Sequence, residues 1–165
     1  MTREEFKVLF DTHFDAIRRY LYFRSGDTTV STDLAQDTFL KIWEKQFSLD
    51  SVRDVGLLYK IAGDLFVSHY RRDRLSRGIM KELSFDLEGA GPEEDLHFKE
   101  LQDKYEKVLA RMPEKHRIVF LMSRMEGLKY QEIASRLSLS VKAIEKRMTA
   151  ALSLLRKELK PHEKE

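Results

Sequence analysis

The chain has 165 residues, enough for one ordinary domain or two small ones, and charged residues make up 35% of it while the net charge is only +2. Any electrostatic role must therefore come from where charge is concentrated rather than from its total. The chain has no cysteine, which excludes disulfides, thiolate nucleophiles and zinc-thiolate sites and suits a reducing cytoplasm. The N-terminus is charged too early and too often for a secretory signal, and no apolar run nears the roughly 18 residues of a membrane span, so a cytoplasmic location without membrane insertion is expected.

Thr2 with Glu5 forms a capping-box signature, and Phe6, Leu9, Phe10, Phe14, Ile17, Tyr20 and Leu21 recur at helical spacing up to Gly26. Ser31 or Thr32 can cap a second helix, in which Leu34, Phe39, Leu40, Ile42 and Trp43 supply helical-face pairs. Asp50 or Ser51 can cap a third, running through about Arg74. The stretch that follows contains Gly78, Gly89, Gly91 and Pro92 and lacks a sustained apolar period, which reads as a linker. A helical pattern resumes from Pro92, Pro113 can restart another helix and Gly127 can close it. No run alternates as a strand does. The expected fold is all-α: two small helical domains joined by a flexible acidic linker, with residues 1–75, 76–100 and 101–165 as the three parts.

Residues 130–148, "YQEIASRLSLSVKAIEKRM", carry the sharpest signal. Ile133, Ala134 and Leu137 would face inward from one short helix and Val141, Ile144 and Met148 from the next, leaving Lys142, Ala143, Glu145, Lys146 and Arg147 on an outer face. That is where a helix-turn-helix contacts base edges and phosphates. An ordinary helical hairpin with solvated charges would share the apolar spacing. Residues 124–160 hold nine basic side chains against four acidic ones, a surface that suits phosphate. Ser138 stands in the turn, where glycine is common because a left-handed backbone costs it nothing, and an adjusted turn is expected.

Two further stretches invite a binding reading. Tyr59, Phe66 and Tyr70 precede a basic cluster of Arg71, Arg72, Arg74 and Arg77; aromatics beside arginines can stack unpaired bases, although aromatics at helical spacing more often form core, and two of the three are expected inside. On the second helix Asp37, Lys41 and Glu44 rim Phe39, Leu40 and Trp43, a composition that suits a partner helix or simply a solvated face over a core face. The histidines at 13, 69, 97, 116 and 162 are scattered, and neither an HExxH pair nor a glycine-rich phosphate loop is present, so no enzyme, metal or cofactor is implied.

In this order the parts resemble an extracytoplasmic-function (group 4) sigma factor of the sigma-70 family, the promoter-recognition subunit of bacterial RNA polymerase. "DLAQDTFLKIWEK" looks like region 2.2, "LLYKIAGDLFVSHYRRDR" like regions 2.3 and 2.4, and residues 112–157 like region 4. The resemblance implies that Asp33, Gln36, Asp37, Phe39, Leu40 and Trp43 bind the clamp helices of the polymerase β′ subunit. It also implies that region 4 meets the β flap and that "FSLDSVRDVG" captures a base flipped from the minus-10 element, a step costing a few kcal/mol. His69, Arg71 and Arg72 would contact promoter DNA near the melted segment, while Lys142, Lys146 and Arg147 would serve minus-35 recognition.

Relatives are commonly held inactive by an anti-sigma factor, so the resemblance leaves room for one here. Leu57 stands where many relatives have tryptophan, Gly63 and Asp64 where Arg-Asn is frequent, and neither Gly63 nor Asp64 is carried over as a DNA-binding residue. Seven acidic residues against one basic between 82 and 100 suit either a solvated run or mimicry of nucleic acid within the polymerase. About 20 linker residues can extend roughly 65 Å, which could separate two DNA contacts. The runner-up function is a stand-alone helix-turn-helix regulator whose N-terminal helices dimerise or sense a ligand.

Overall fold

The computed structural model describes residues 1–48, 55–77, 83–85 and 96–160. Seven helices make up the described architecture: α1 (Arg3–Ser25), α2 (Thr28–Glu44), α3 (Val55–Arg77), α4 (Leu96–Arg111), α5 (Glu114–Glu126), α6 (Tyr130–Leu137) and α7 (Val141–Leu159). No strand occurs among the described residues, and none of these helices is long and apolar enough to cross a membrane. The fold is all-α, in two helical layers of sequence: α1 to α3, then α4 to α7.

Local chemistry accounts for most helix ends. The Thr2 hydroxyl accepts from Glu5 N at 3.2 Å while Thr2 N donates to the Glu5 carboxylate at 2.7 Å, so two of the orphan amides of α1 are satisfied. Gly26 ends α1 in the left-handed region at φ 63°. A Cβ there would also stand 2.8 Å from the Ser84 carbonyl oxygen, so this glycine is required twice over. Helix α2 starts earlier than the Ser31 or Thr32 cap expected from sequence: Asp27 Oδ1 accepts from Val30 N at 3.0 Å, and Ser31 is instead buried with its hydroxyl donating to Thr28 O. A carboxylate immediately after the left-handed glycine reaches the free amides first. The caps expected for α3, Asp50 and Ser51, lie outside the described residues, and α3 continues to Arg77 rather than stopping near Arg74. Pro113 and Gly127 bracket α5, with Gly127 at φ 65°.

Within the first three helices α1 packs most extensively on α2, and α3 packs on both. Ile17, Leu21, Leu34, Ala35, Ile42, Leu58 and Ala62 fill the centre, each large aliphatic side chain contributing about 1.5–3 kcal/mol of burial. Beside them Phe6, Phe10, Phe14 and Phe39 form an aromatic cluster, with Phe10 stacked on Phe14 at 4.6 Å and edge-on to Phe39 at 5.1 Å between ring centroids. In the second group α7 is the hub against which α4, α5 and α6 pack, through Ile144, Met148, Ala151 and Leu155. That i, i+4, i+7, i+11 stripe meets Leu109, Val119, Leu121, Met122 and Ile133 from the surrounding helices.

The two groups touch: α1 packs on α5 and α3 packs on α6. Helices α3 and α4 trim the expected 76–100 linker from both sides, and most of the remainder lies outside the described residues. The exception is Leu83–Phe85, whose Phe85 is buried against Tyr22 and beneath the Arg117 guanidinium. Acidic though the segment is, one aromatic side chain anchors it between the two helical groups.

Candidate nucleic-acid interface

The turn between α6 and α7 is built around Ser138, which adopts φ 54° and ψ 44°. Its amide and that of Leu139 donate back to Ser135 O and Ala134 O, at 3.4 and 2.9 Å, closing the C-terminus of α6. The sequence suggested an adjusted turn; the serine instead occupies the left-handed conformation that a glycine would take. Ser140 then caps α7, its hydroxyl accepting from Ala143 N at 3.1 Å. Lys129 N donates to Glu132 at 2.7 Å, ordering the start of α6. Ala134, 5% exposed, sits where the helices approach, and its small side chain permits the approach.

Ile133, Ala134, Ile144 and Met148 face inward as expected, but Val141 does not. It is 37% exposed, at the first position of α7. Lys142, Glu145 and Lys146 are exposed and Arg147 is half-buried along the same face. His116, at the start of α5, is held below its ordinary pKa by partial burial and then by the charges of Lys115 and Arg147. Lys115 and Arg147 therefore put a positive field at His116, an electrostatic setting in which a phosphate is favourable.

At the end of α3, Arg71, Arg72 and Arg74 are exposed and His69 is half-buried. Tyr59 and Phe66 are core residues, while Tyr70 is 43% exposed and stacks on Phe66 at 6.1 Å, so two of the three aromatics are inside. Tyr59 is pushed up to about 12, chiefly by burial, and remains neutral at ordinary pH. The "FSLDSVRDVG" segment lies mostly outside the described residues.

On α2 the exposed positions include Asp33, Gln36, Asp37 and Leu40, spaced i, i+3, i+4 and i+7. Leu40 is 52% exposed, and Trp43 is half-buried with its ring 5.0 Å from Phe6. Phe39 requires a correction: at 1% exposure it is enclosed by Phe6, Phe10 and Phe14 and cannot meet a partner directly. One helical position separates it from Leu40, enough to rotate it into the core.

Comparison with known proteins agrees with this arrangement. The family description "Sigma-70, region 4" matches residues 102–155, from α4 into α7. The chain is 29% identical over 150 residues to the ferric citrate uptake sigma factor FecI of Escherichia coli, covering 89% of this chain and 86% of that one. It is 27% identical over 156 residues to the ECF RNA polymerase sigma factor SigE of Mycolicibacterium smegmatis, covering 93% of this chain and 61% of that one.

The chain is similar over most of its length to extracytoplasmic-function sigma factors of the sigma-70 family.

A solved structure of the Bartonella quintana sigma factor RpoE in complex with the anti-sigma factor NepR has the same fold, with a TM-score of 0.69 at 23% identity, covering 96% of this chain and 99% of that one. Several residues that matter structurally carry little signal in the sequence. Arg117 is 2% exposed, and its guanidinium donates to the carbonyls of Phe23, Leu109, Met112 and Arg24. Its sequence signal is slight, a cation directly preceding the apolar run "IVFLM" and following Lys115 and His116. Arg24 pairs with Glu114, and Glu126 receives both Arg19 at 3.0 Å and Arg136 at 3.1 Å. None of these pairs follows a helical period, so no local pattern announces them.

Proposed function

We propose that this chain is a sigma factor that binds core RNA polymerase and directs it to promoters, with residues 1–75 as region 2 and 101–165 as region 4. One observation carries the reading: a single chain combines an exposed basic recognition helix, within its sigma-70 region 4 match, with a separate preceding three-helix group that displays an acid-edged apolar strip on α2. The whole-length similarity to sigma factors supports the combination over a stand-alone regulator.

In this reading Asp33, Gln36, Asp37, Leu40 and Trp43 form the contact for the β′ clamp helices, with Phe39 supporting them from below. Leu40 would supply the desolvated centre and the carboxylates the rim. His69, Arg71 and Arg72 would hold the promoter strand near the melted minus-10 element. Lys142, Lys146 and Arg147 would enter or flank the minus-35 major groove, cations on phosphate fixing register and base-edge contacts supplying specificity. Region 4 would also dock on the β flap, and the masking of either DNA-facing surface by an anti-sigma factor would silence the chain. The protein would work by binding rather than catalysis: trapping flipped bases shifts the opening equilibrium without any bond being made.

The test is run-off transcription with purified bacterial core polymerase on a library of genomic fragments. Defined transcripts that depend on the chain support the proposal; a stable dimer on a palindromic site, with no polymerase-dependent product, overturns it.

A further inference from the structure

A cleft of about 460 Å³ opens where the α1–α2 junction, the second half of α3 and the α4–α5 corner meet. That volume falls within the range of small-molecule sites, about 300–1,000 Å³. Apart from His69, none of the residues assigned above to polymerase or DNA lines it.

One part of its wall is apolar and aromatic. Val30, Phe66, Leu83, Ala110 and Met112 line it, with Phe66 and Met112 buried in the core. Tyr70 lies nearly parallel to Phe66, with 18° between the ring planes and 6.1 Å between centroids, yet stays 43% exposed. A large ring left open at the edge of a cleft is a surface that a flat ligand can cover.

Charge decides what kind of ligand. Two arginines line the cleft, and both are committed to the protein. Arg117 serves four backbone carbonyls, while Arg24 pairs with Glu114, donates to Tyr20 Oη at 3.1 Å and lies 4.4 Å from the Phe66 ring centroid. An anion entering here competes for those donors and leaves a buried acceptor without its partner. Carboxylates outnumber the arginines among the described lining residues: Asp27, Asp73 and Glu114 are all present. Asp27 accepts from Val30 N at the start of α2, and a carboxylate has capacity for further hydrogen bonds beyond one. The Phe66 face already holds one cation, Arg24, and the face of Tyr70 offers a second such position.

We propose that this cleft is a binding site for a small aromatic cation, a flat ring system carrying one amine or amidine. The ring covers Tyr70 and the apolar wall of Val30, Leu83 and Met112, and the cationic group faces the carboxylates. His69 is part of the same wall, so an occupant sits beside a residue assigned above to the promoter strand. Binding requires neither polymerase nor DNA and is read on the free chain, so it stands or falls separately from the function proposed above.

Three probes of one shape separate the sources of affinity: naphthylmethylamine, protonated at neutral pH, uncharged naphthylmethanol and anionic naphthoate. Isothermal titration calorimetry on the full chain should show one site for the ammonium probe with a Kd below about 1 mM. Naphthylmethanol should bind more weakly, and naphthoate at least about tenfold more weakly. Ala110→Phe fills the cleft from α4 and should abolish binding of the ammonium probe. Tyr70→Ala, at an exposed position, should weaken it about fivefold. Circular dichroism checks that both variants keep their helix content. No binding of the ammonium probe overturns the site, and so does a folded Ala110→Phe protein that binds it like wild type. Equal affinity for the ammonium probe and either of the other two overturns the assignment to a cation. If Ala110→Phe fails to fold, Tyr70→Ala decides alone, and unchanged affinity there overturns the site.

Discussion

Arg117 Nε donates to the Phe23 carbonyl at 2.8 Å across 94 positions of sequence, and the same guanidinium serves three more carbonyls. The planar fork of arginine matches four acceptors on two helical groups at once, and a lysine ammonium could not span them. Burial pushes its pKa below the ordinary value, although the nearby Glu114 acts in the opposite sense. The side chain therefore works as a structural bracket between α1 and the α4–α5 corner.

Arg117→Met should accordingly destabilise the protein by about 3 kcal/mol, because buried carbonyls lose their donors while the volume stays nearly constant. Urea denaturation followed by circular dichroism measures this. Arg117→Lys should recover less than half of the loss, and full recovery would show that charge alone matters at this site.

Ser138→Gly should stabilise the chain by about 0.5–1 kcal/mol, since φ 54° places a Cβ in the left-handed region. A thermal melt should show a modest rise in midpoint with DNA binding retained. A lower midpoint would mean that the serine side chain makes a contribution larger than its backbone cost.

Much of this architecture was legible in advance, for identifiable reasons. The Thr2–Glu5 capping box, Gly26, Pro113 and Gly127 act within a few residues of themselves, so local chemistry announced them. The Ile133, Ala134, Ile144 and Met148 stripe was visible from periodicity. Ser31 was misread as a cap because Asp27, one residue beyond the glycine, competes better for the same amides. Phe39 was placed on the partner-facing strip because a helical wheel cannot say how wide the core is; Phe6, Phe10 and Phe14 widen it enough to enclose Phe39. The contacts of Arg117, Arg136 and Glu126 join helices that only the tertiary fold brings together, and no spacing rule reaches that far.

Leu40→Ala should reduce affinity for core polymerase about tenfold, in line with a contact at the centre of an interface. At 52% exposure it contributes little to the fold, so stability should change by less than about 0.5 kcal/mol. Trp43→Ala is a less direct test because Trp43 also packs on Phe6. Unchanged core binding in a folded Leu40 variant would remove α2 from the interface.

Lowering the pH should destabilise the fold through His13, whose pKa is held below 6.5 by burial first and by the Arg136 charge second. The folded form therefore resists protonation while the unfolded chain accepts it, so the unfolded state binds more protons and stability rises with pH. The contribution is full above 6.5 and falls away as pH drops through the depressed folded value. His13→Gln should flatten this part of the stability profile, and an unaltered slope would assign it to other groups.

Arg147→Ala should weaken use of the upstream promoter element while leaving association with core polymerase intact. If Arg147 contacts phosphate, the slope of log affinity against log salt should also fall by about one unit. Equal loss of promoter use and core binding would place Arg147 in the fold or in a polymerase contact.

The central claim is tested most directly by mapping transcript 5′ ends made in vitro from genomic DNA by bacterial core polymerase, with and without the chain. The account predicts a set of chain-dependent starts sharing a two-part upstream motif, with selection for the more distant part lost in the Arg147→Ala protein. Starts identical with and without the chain, or starts lacking a shared motif, would contradict it.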